Sequence, residues 1–294
     1  MEKKSINQFV LLLLLVACSF ATSCTRRDFD LSSSDEGTVN IAFNWGNLYP
    51  GDTKPTGMKL YFYGSDGSVI EKDCSADGYS GSLPSGSYQV LVYNTGSTNV
   101  NYSGLDSYSN ASAYVSEVSG ASYISQPSYI YGVGLQNLVV TARKASSAIM
   151  KPFCLVKRGN FKINLTGNVA SVSSCVCAIG GLSNSVNIAT GDAQGVSGSL
   201  SFTPSAVSSG SYESTVLFFG KTLDTGNDVN VVVNFVGGGS QTVTFDISSA
   251  LAKLDPTTVS IDVNLSINIT GSTAFGFNAT LTDWEVVYRN LDVG

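Results

Sequence analysis

From Val259 to Thr270 the chain alternates without a break, with Val259, Ile261, Val263, Leu265, Ile267 and Ile269 set between Ser260, Asp262, Asn264, Ser266, Asn268 and Thr270. Successive side chains on a strand point to opposite faces, so this period of two builds one apolar and one wet face, and it excludes an amphipathic helix. Such a strand needs a sheet beside it and a second layer over its apolar face. The same pattern is repeated along the chain. Val39, Ile41, Phe43 and Trp45 share one face of a predicted strand, and Met58–Tyr63, Tyr88–Asn94 and Phe161–Leu165 read alike. Val229–Phe235 is separated from Gln241–Ile247 by Gly237-Gly238-Gly239-Ser240, a hairpin-length loop. Ser171–Ile179 is expected to turn at Gly180-Gly181, and Ser248–Leu254 is the one helical candidate, with Asp255-Pro256 as its stop. The fold class is therefore all-β, and the antiparallel β-sandwich is the expected architecture.

The N-terminal segment leads us to expect this body outside the cytoplasm. Lys3 and Lys4 precede an apolar run from Phe9 to Ala17, and small residues follow, in the order of a bacterial export signal. The run is shorter than the ~20 apolar residues of an ordinary membrane span. Ala21-Thr22-Ser23 stands before Cys24 in the manner of a lipobox, so residues 1–23 are expected to be a lipoprotein signal peptide and Cys24 the lipidated residue; Cys18 is the alternative. Residues 24–37 hold too little apolar content to pack and read as a flexible tether. Two β-sandwich domains are expected after it, 38–144 and 145–294. Val39–Phe43 parallels Phe161–Leu165, and Ser85-Gly86-Ser87-Tyr88 recurs as Ser209-Gly210-Ser211-Tyr212, at nearly equal offsets.

Several functions are disfavoured by what the chain lacks. The sequence contains no histidine, which removes His-activated nucleophiles and imidazole metal ligands together. Carboxylates stand singly in turn contexts such as Ser65-Asp66-Gly67, and no phosphate-binding glycine loop or CxxC pair is present. A net charge of −6 argues against nucleic acid as a partner. No enzymatic activity, metal or cofactor is expected. Of the body cysteines, Cys175 and Cys177 point the same way on one strand, a geometry that does not favour a bridge between them; either could meet Cys154, and buried free thiols are the other reading, as for Cys74.

Between Thr95 and Gly134 the composition shifts to Ser, Tyr, Asn, Gly and Ala. Tyrosine offers a large, rigid, amphipathic contact, so Tyr102, Tyr108, Tyr123 and Tyr129 are candidate ligand contacts, with Trp284 near the C-terminus as a fifth. The competing reading is that these rings pave sheet faces, since tyrosine favours strands.

Cys24, Arg26-Arg27-Asp28-Phe29, Trp45-Gly46, Gly57–Tyr63, Ser65-Asp66-Gly67, Leu83–Tyr88, Tyr93-Asn94, Ile179-Gly180-Gly181-Leu182 and the Phe277–Trp284 ending resemble a family of Bacteroidales lipoproteins akin to the fimbrillins and other fimbrial subunits. The resemblance implies two tandem transthyretin-like, Greek-key β-sandwiches, outer-membrane lipidation and a part in a surface fimbrium or adhesin. It implies other fimbrial subunits as partners through β-strand addition, with Val259–Thr270 or Ala274–Tyr288 as the segment offered. In polymerising fimbrillins a trypsin-like protease cuts after an arginine beyond the first strand; here no arginine lies between Arg27 and Arg143, and only Lys54 stands where such a cut would serve. The expected role is thus an anchor, accessory or tip subunit, and the alternative is a surface lipoprotein that captures glycan.

Overall fold

The structure is a computed structural model that describes residues 35–49, 51–118, 123–222, 226–255, 258–272 and 276–290. The expected signal peptide, Cys18, Cys24 and residues 24–34 of the expected tether lie outside the described residues.

The alternating segment forms β18 (Thr258–Ser272), and its six aliphatic side chains are at most 1% exposed. Burying them contributes roughly 10–15 kcal/mol of gross transfer free energy, which is why its register is well specified. β18 lies between β11 (Lys157–Gly167), to which it runs parallel, and β19 (Gly276–Asn290), antiparallel to it. With β15 (Ser211–Phe218) and β14 (Ser205–Ser208) these strands make a 5-stranded sheet in the order β14-β15-β11-β18-β19.

Over its apolar face lies a 6-stranded sheet built on β12 (Val172–Asn187). β16 (Asp228–Phe235) pairs with the first half of β12, and β17 (Ser240–Asp246) pairs with β16 across the expected glycine loop. β13 (Ala193–Phe202) pairs along the second half. The turn expected at Gly180-Gly181 is absent: β12 runs straight through, and the two glycines form a bulge at which the register against β13 shifts between Ile179 and Leu182. Gly181 sits at φ 71°, a conformation that in a paired strand inserts a residue without reversing the chain. The helix candidate is real but short, α1 (Ser248–Leu251), where the Ser248 N–H donates to Asp246 Oδ1 at 2.7 Å.

The first half of the chain makes an 8-stranded sheet, β10-β8-β5-β2-β3-β4-β1-β9. Its strands are β1 (Glu36–Phe43), β2 (Gly57–Gly64), β3 (Val69–Ser75), β4 (Gly78–Pro84), β5 (Gly86–Asn94), β8 (Tyr131–Val140), β9 (Ala145–Met150) and β10 (Phe153–Cys154). The β1–β9 end lies against β8, so the sheet folds over on itself around Val39, Ile41, Met58, Leu60, Phe62, Leu83, Val90 and Val92. Gly37 makes this closure possible: a Cβ there would stand 2.9 Å from Val140 Cγ1 at the end of β8 and 3.0 Å from the Lys144 carbonyl oxygen. β9 and β10 lie beyond residue 144, where the second domain was expected to begin, yet they hydrogen-bond to β1 and β8. β6 (Asn101–Ser103) and β7 (Ser112–Tyr114) cross the other way: they belong to the first half in sequence and extend the β12 sheet. The two halves are therefore spliced by exchanged strands.

The faint repeat is half visible in the pairing. β1 and β11, the strands of the Val39–Phe43 and Phe161–Leu165 correspondence, are each flanked by one antiparallel and one parallel neighbour. The Ser-Gly-Ser-Tyr correspondence has no such counterpart, because it opens β5 in one half, paired to β2, and β15 in the other, paired to β11.

Candidate functional site

The tyrosine-rich segment packs in two places. On the outer face of the first sheet, Tyr63, Tyr61 and Tyr93 stack in a ladder at 6.2 and 6.1 Å, and Tyr102 lies on Tyr93 at 4.4 Å. Tyr108 meets Tyr63 edge-on at 5.9 Å, and the Tyr63 hydroxyl donates to the Leu105 carbonyl at 3.1 Å. Burial raises the pKa of the Tyr63, Tyr93, Tyr102 and Tyr108 phenols. Tyr108 is buried and Tyr102 half-buried, so both cover the sheet, as the paving reading has it.

The second cluster sits where the two halves meet. Tyr49 and Tyr129 stack at 6.2 Å, and the Arg158 guanidinium lies over both rings, 3.6 Å from the Tyr49 centroid and 5.2 Å from that of Tyr129, with Nη2 donating to the Tyr129 hydroxyl. The buried Tyr131 hydroxyl donates to Asp52 Oδ2 at 2.6 Å and accepts from the Tyr49 N–H at 3.2 Å. Trp45 packs edge-on against Tyr131 at 5.9 Å and donates from Nε1 to the Ala76 carbonyl at 2.6 Å, a core role. Next to these, Lys157 is only 5% exposed and donates to the Asp255 carbonyl at 2.5 Å; burial holds its amine down at about 8. The Cys154 thiol is pushed up to about 12 by burial and donates to the Val156 carbonyl. All four cysteines of the body are free, including Cys74, and burial raises the Cys175 and Cys177 thiols as well.

Tyr123 and Trp284 are each 39% exposed and stand apart. Tyr123 bridges to Ser199 on β13, whereas Trp284 is on β19 with its ring 5.7 Å from Phe245 of β17. The five candidate contacts thus fall at separate places: one exposed tyrosine, one exposed tryptophan, a cation-stacked tyrosine and two rings over the first sheet. Sequence reasoning missed Arg158, Tyr49 and Lys157; an arginine directly after a lysine at the head of an apolar strand was the only available signal. Among the described residues no group of three His, Cys, Asp or Glu could hold a metal ion.

Of the two segments expected to be offered to a neighbour, Val259–Thr270 is paired on both edges inside the sheet. Among the described residues β19 is paired only to β18 and ends the sheet, with Val287 42% exposed on its outward face. An edge strand of this length presents a row of backbone donors and acceptors for another strand.

This all-β body of stacked sheets is a fold found in solved Bacteroidales proteins. The fold is shared with a putative adhesin from Bacteroides ovatus (TM-score 0.64, 20% identity, covering 86% of this chain and 95% of that one). It is also shared with the fimbrial anchor protein Mfa2 from Porphyromonas gingivalis (TM-score 0.55, 10% identity, 86% and 98%). The chain belongs to the family described as Domain of unknown function (DUF5119), whose model matches residues 23–203. It is 27% identical over 189 residues to a relative from Bacteroides ovatus named "Putative fimbrium anchoring subunit Fim4B"; the match covers 58% of this chain and 56% of that relative's length, a little over half.

Proposed function

We propose that this chain is a non-catalytic subunit of a surface fimbrium, in an anchoring or accessory position, held to the outer membrane by acyl chains on Cys24. The observation that carries the reading is the sequence likeness to a relative named as a fimbrium anchoring subunit, together with the fold shared with an anchor protein. The free edge of β19 is the contact it offers to the next subunit, by strand addition. Removal of the signal peptide at Cys24 leaves a short tether before β1, and each buried lipid methylene contributes about 0.8 kcal/mol to membrane retention.

The test is Cys24→Ala in cells that make the whole fimbrial gene set, with native fractions run boiled and unboiled. Fimbriae shed into the medium, with this chain migrating in a ladder that collapses on boiling, support the reading. Fimbriae that stay on the cell, with this chain released as a lone monomer, sink it. Val287→Lys separates the strand contact from the lipid: it should leave the chain membrane-bound and abolish the ladder.

A further inference from the structure

The outward faces of β15, β11 and β18 meet in a grid of polar side chains that the foregoing reading leaves unused. Across three strands in register, Thr215 Oγ1 donates to Asn160 Oδ1 at 2.9 Å and Asn160 Nδ2 donates to Asp262 Oδ1 at 2.7 Å. In the next row Lys162 stands between Glu213, with Nζ 3.5 Å from Oε1, and Asn264. Among the described residues Asn264 makes no side-chain hydrogen bond. These residues line an open groove of about 680 Å³. Phe161 contributes backbone to it, its ring being 2% exposed and turned to the core. The next outward-facing position of β11 is Arg158, stacked on Tyr129.

The chemistry of the groove narrows its occupant. Its volume is that of a small-molecule site. It presents no apolar anchor of the kind that protein interfaces use. Two carboxylates against one ammonium disfavour a phosphate or any other anion. What remains are the Asn160 amide, the Thr215 hydroxyl and the Asp262 carboxylate, fixed by their mutual hydrogen bonds at strand spacing, and the Asn264 amide in the next row; each can accept from hydroxyl groups and the amides can donate back. Vicinal hydroxyls both donate and accept at short spacing. We propose that this groove binds a short, neutral, hydroxyl-rich oligosaccharide, with Asp262 and Asn264 as its central contacts. Binding rests on hydrogen bonds alone, so the affinity is modest. The proposal uses a sheet face and not the β19 edge, and it stands or falls apart from the anchoring role.

The experiment is a titration of the isotope-labelled full chain with maltotriose, cellotriose, mannotriose and chitotriose, read on the side-chain amide resonances of Asn160 and Asn264. At least one trisaccharide should shift both signals saturably with a Kd of about 1 mM, and Asn264→Ala should weaken it at least about tenfold. Asp262→Asn, which keeps the side-chain volume and the possibility of pairing with Asn160, should weaken it as well if the fold is intact by circular dichroism. No saturable shift with any of the four, or shifts untouched by Asn264→Ala, overturns the proposal. Shifts that follow protein concentration alone, with a rising mass by light scattering, would assign the face to a second copy and overturn it too.

Discussion

Arg158→Ala should destabilise the whole body, although among the described residues this side chain belongs to no ion pair. Its guanidinium faces Tyr49 at 3.6 Å and Tyr129 at 5.2 Å and donates to the Tyr129 hydroxyl. A half-desolvated cation–π contact contributes about 1–2 kcal/mol and a charge-assisted hydrogen bond about as much, so the loss is roughly 2–4 kcal/mol. Lysine keeps the charge but neither the planar stack nor the Nη2 donor, so Arg158→Lys should retain at least about half of that loss. The assay is urea unfolding in 0.1 and 1 M salt, with hydrogen exchange read over Tyr123–Tyr131. The difference should be the same at both ionic strengths, because a quadrupole contact at van der Waals distance is screened far less than a surface ion pair. Exchange should rise first in that segment, whose further ties include the Ile124 N–H to Ser199 O bond at 2.8 Å, the Leu217 N–H to Gln126 Oε1 bond at 2.9 Å and the Tyr131 N–H to Asn94 Oδ1 bond at 2.7 Å. A double-mutant cycle with Tyr129→Leu should return about 1 kcal/mol of coupling. A loss for Arg158→Ala under about 0.5 kcal/mol, or one that vanishes in salt, would refute the stacking argument.

Further outcomes follow from other parts of the fold. Trp45→Phe keeps most of the packing but strands the buried Ala76 carbonyl, costing about 1–3 kcal/mol by thermal or urea unfolding. Lys157 binds fewer protons folded than unfolded between pH 8 and its ordinary value of 10.5, so its contribution to stability rises with pH through that window and is absent below pH 8. The buried tyrosines act oppositely: their folded pKa values are raised, so stability is lost as pH climbs past 10. Lys157→Met should therefore stabilise the protein at pH 7 and flatten the rise between pH 8 and 10 in urea titrations. Residues 38–144 and 145–294, made separately, should each fail to give a dispersed NMR spectrum, because β9 and β10 complete the first sheet and β6 and β7 extend the second. The buried thiols of Cys154, Cys175 and Cys177 should resist a thiol reagent in the native state and react in denaturant.

What could be read from the chain was what a single strand decides by itself. The period of β18, the faces of β1 and β2 and the glycine hairpin between β16 and β17 depend on local alternation, and all are present. The misread stretches depend on a partner. Gly180-Gly181 looks like a turn until β13 holds the chain straight through it, and Ala145, where the second domain was expected to begin, opens an edge strand of the first sheet whose small residues carry no strong pattern. Asn101–Tyr114 gave no hint that its short strands would join a sheet of the other half. Tyrosine was ambiguous in principle: a ring that stacks on Tyr93 and one that greets solvent have the same composition and spacing. The polar grid around Asp262 was written in the sequence as the wet side of an alternating strand, but only the register across β15, β11 and β18 turns separate residues into a surface.

β1 has a neighbour on each edge, β4 antiparallel and β9 parallel, and the chain enters it from the N-terminal side at Glu36. A tug on that end acts along the strand, so the bonds of both ladders are sheared together and must yield at once. Among the described residues β19 has one ladder, and a pull lifting it away from β18 would open that ladder bond by bond. Under tension on a lone body, as when it is dragged by flow, β1 with its two ladders is the strong point and β19 with its one is where opening begins.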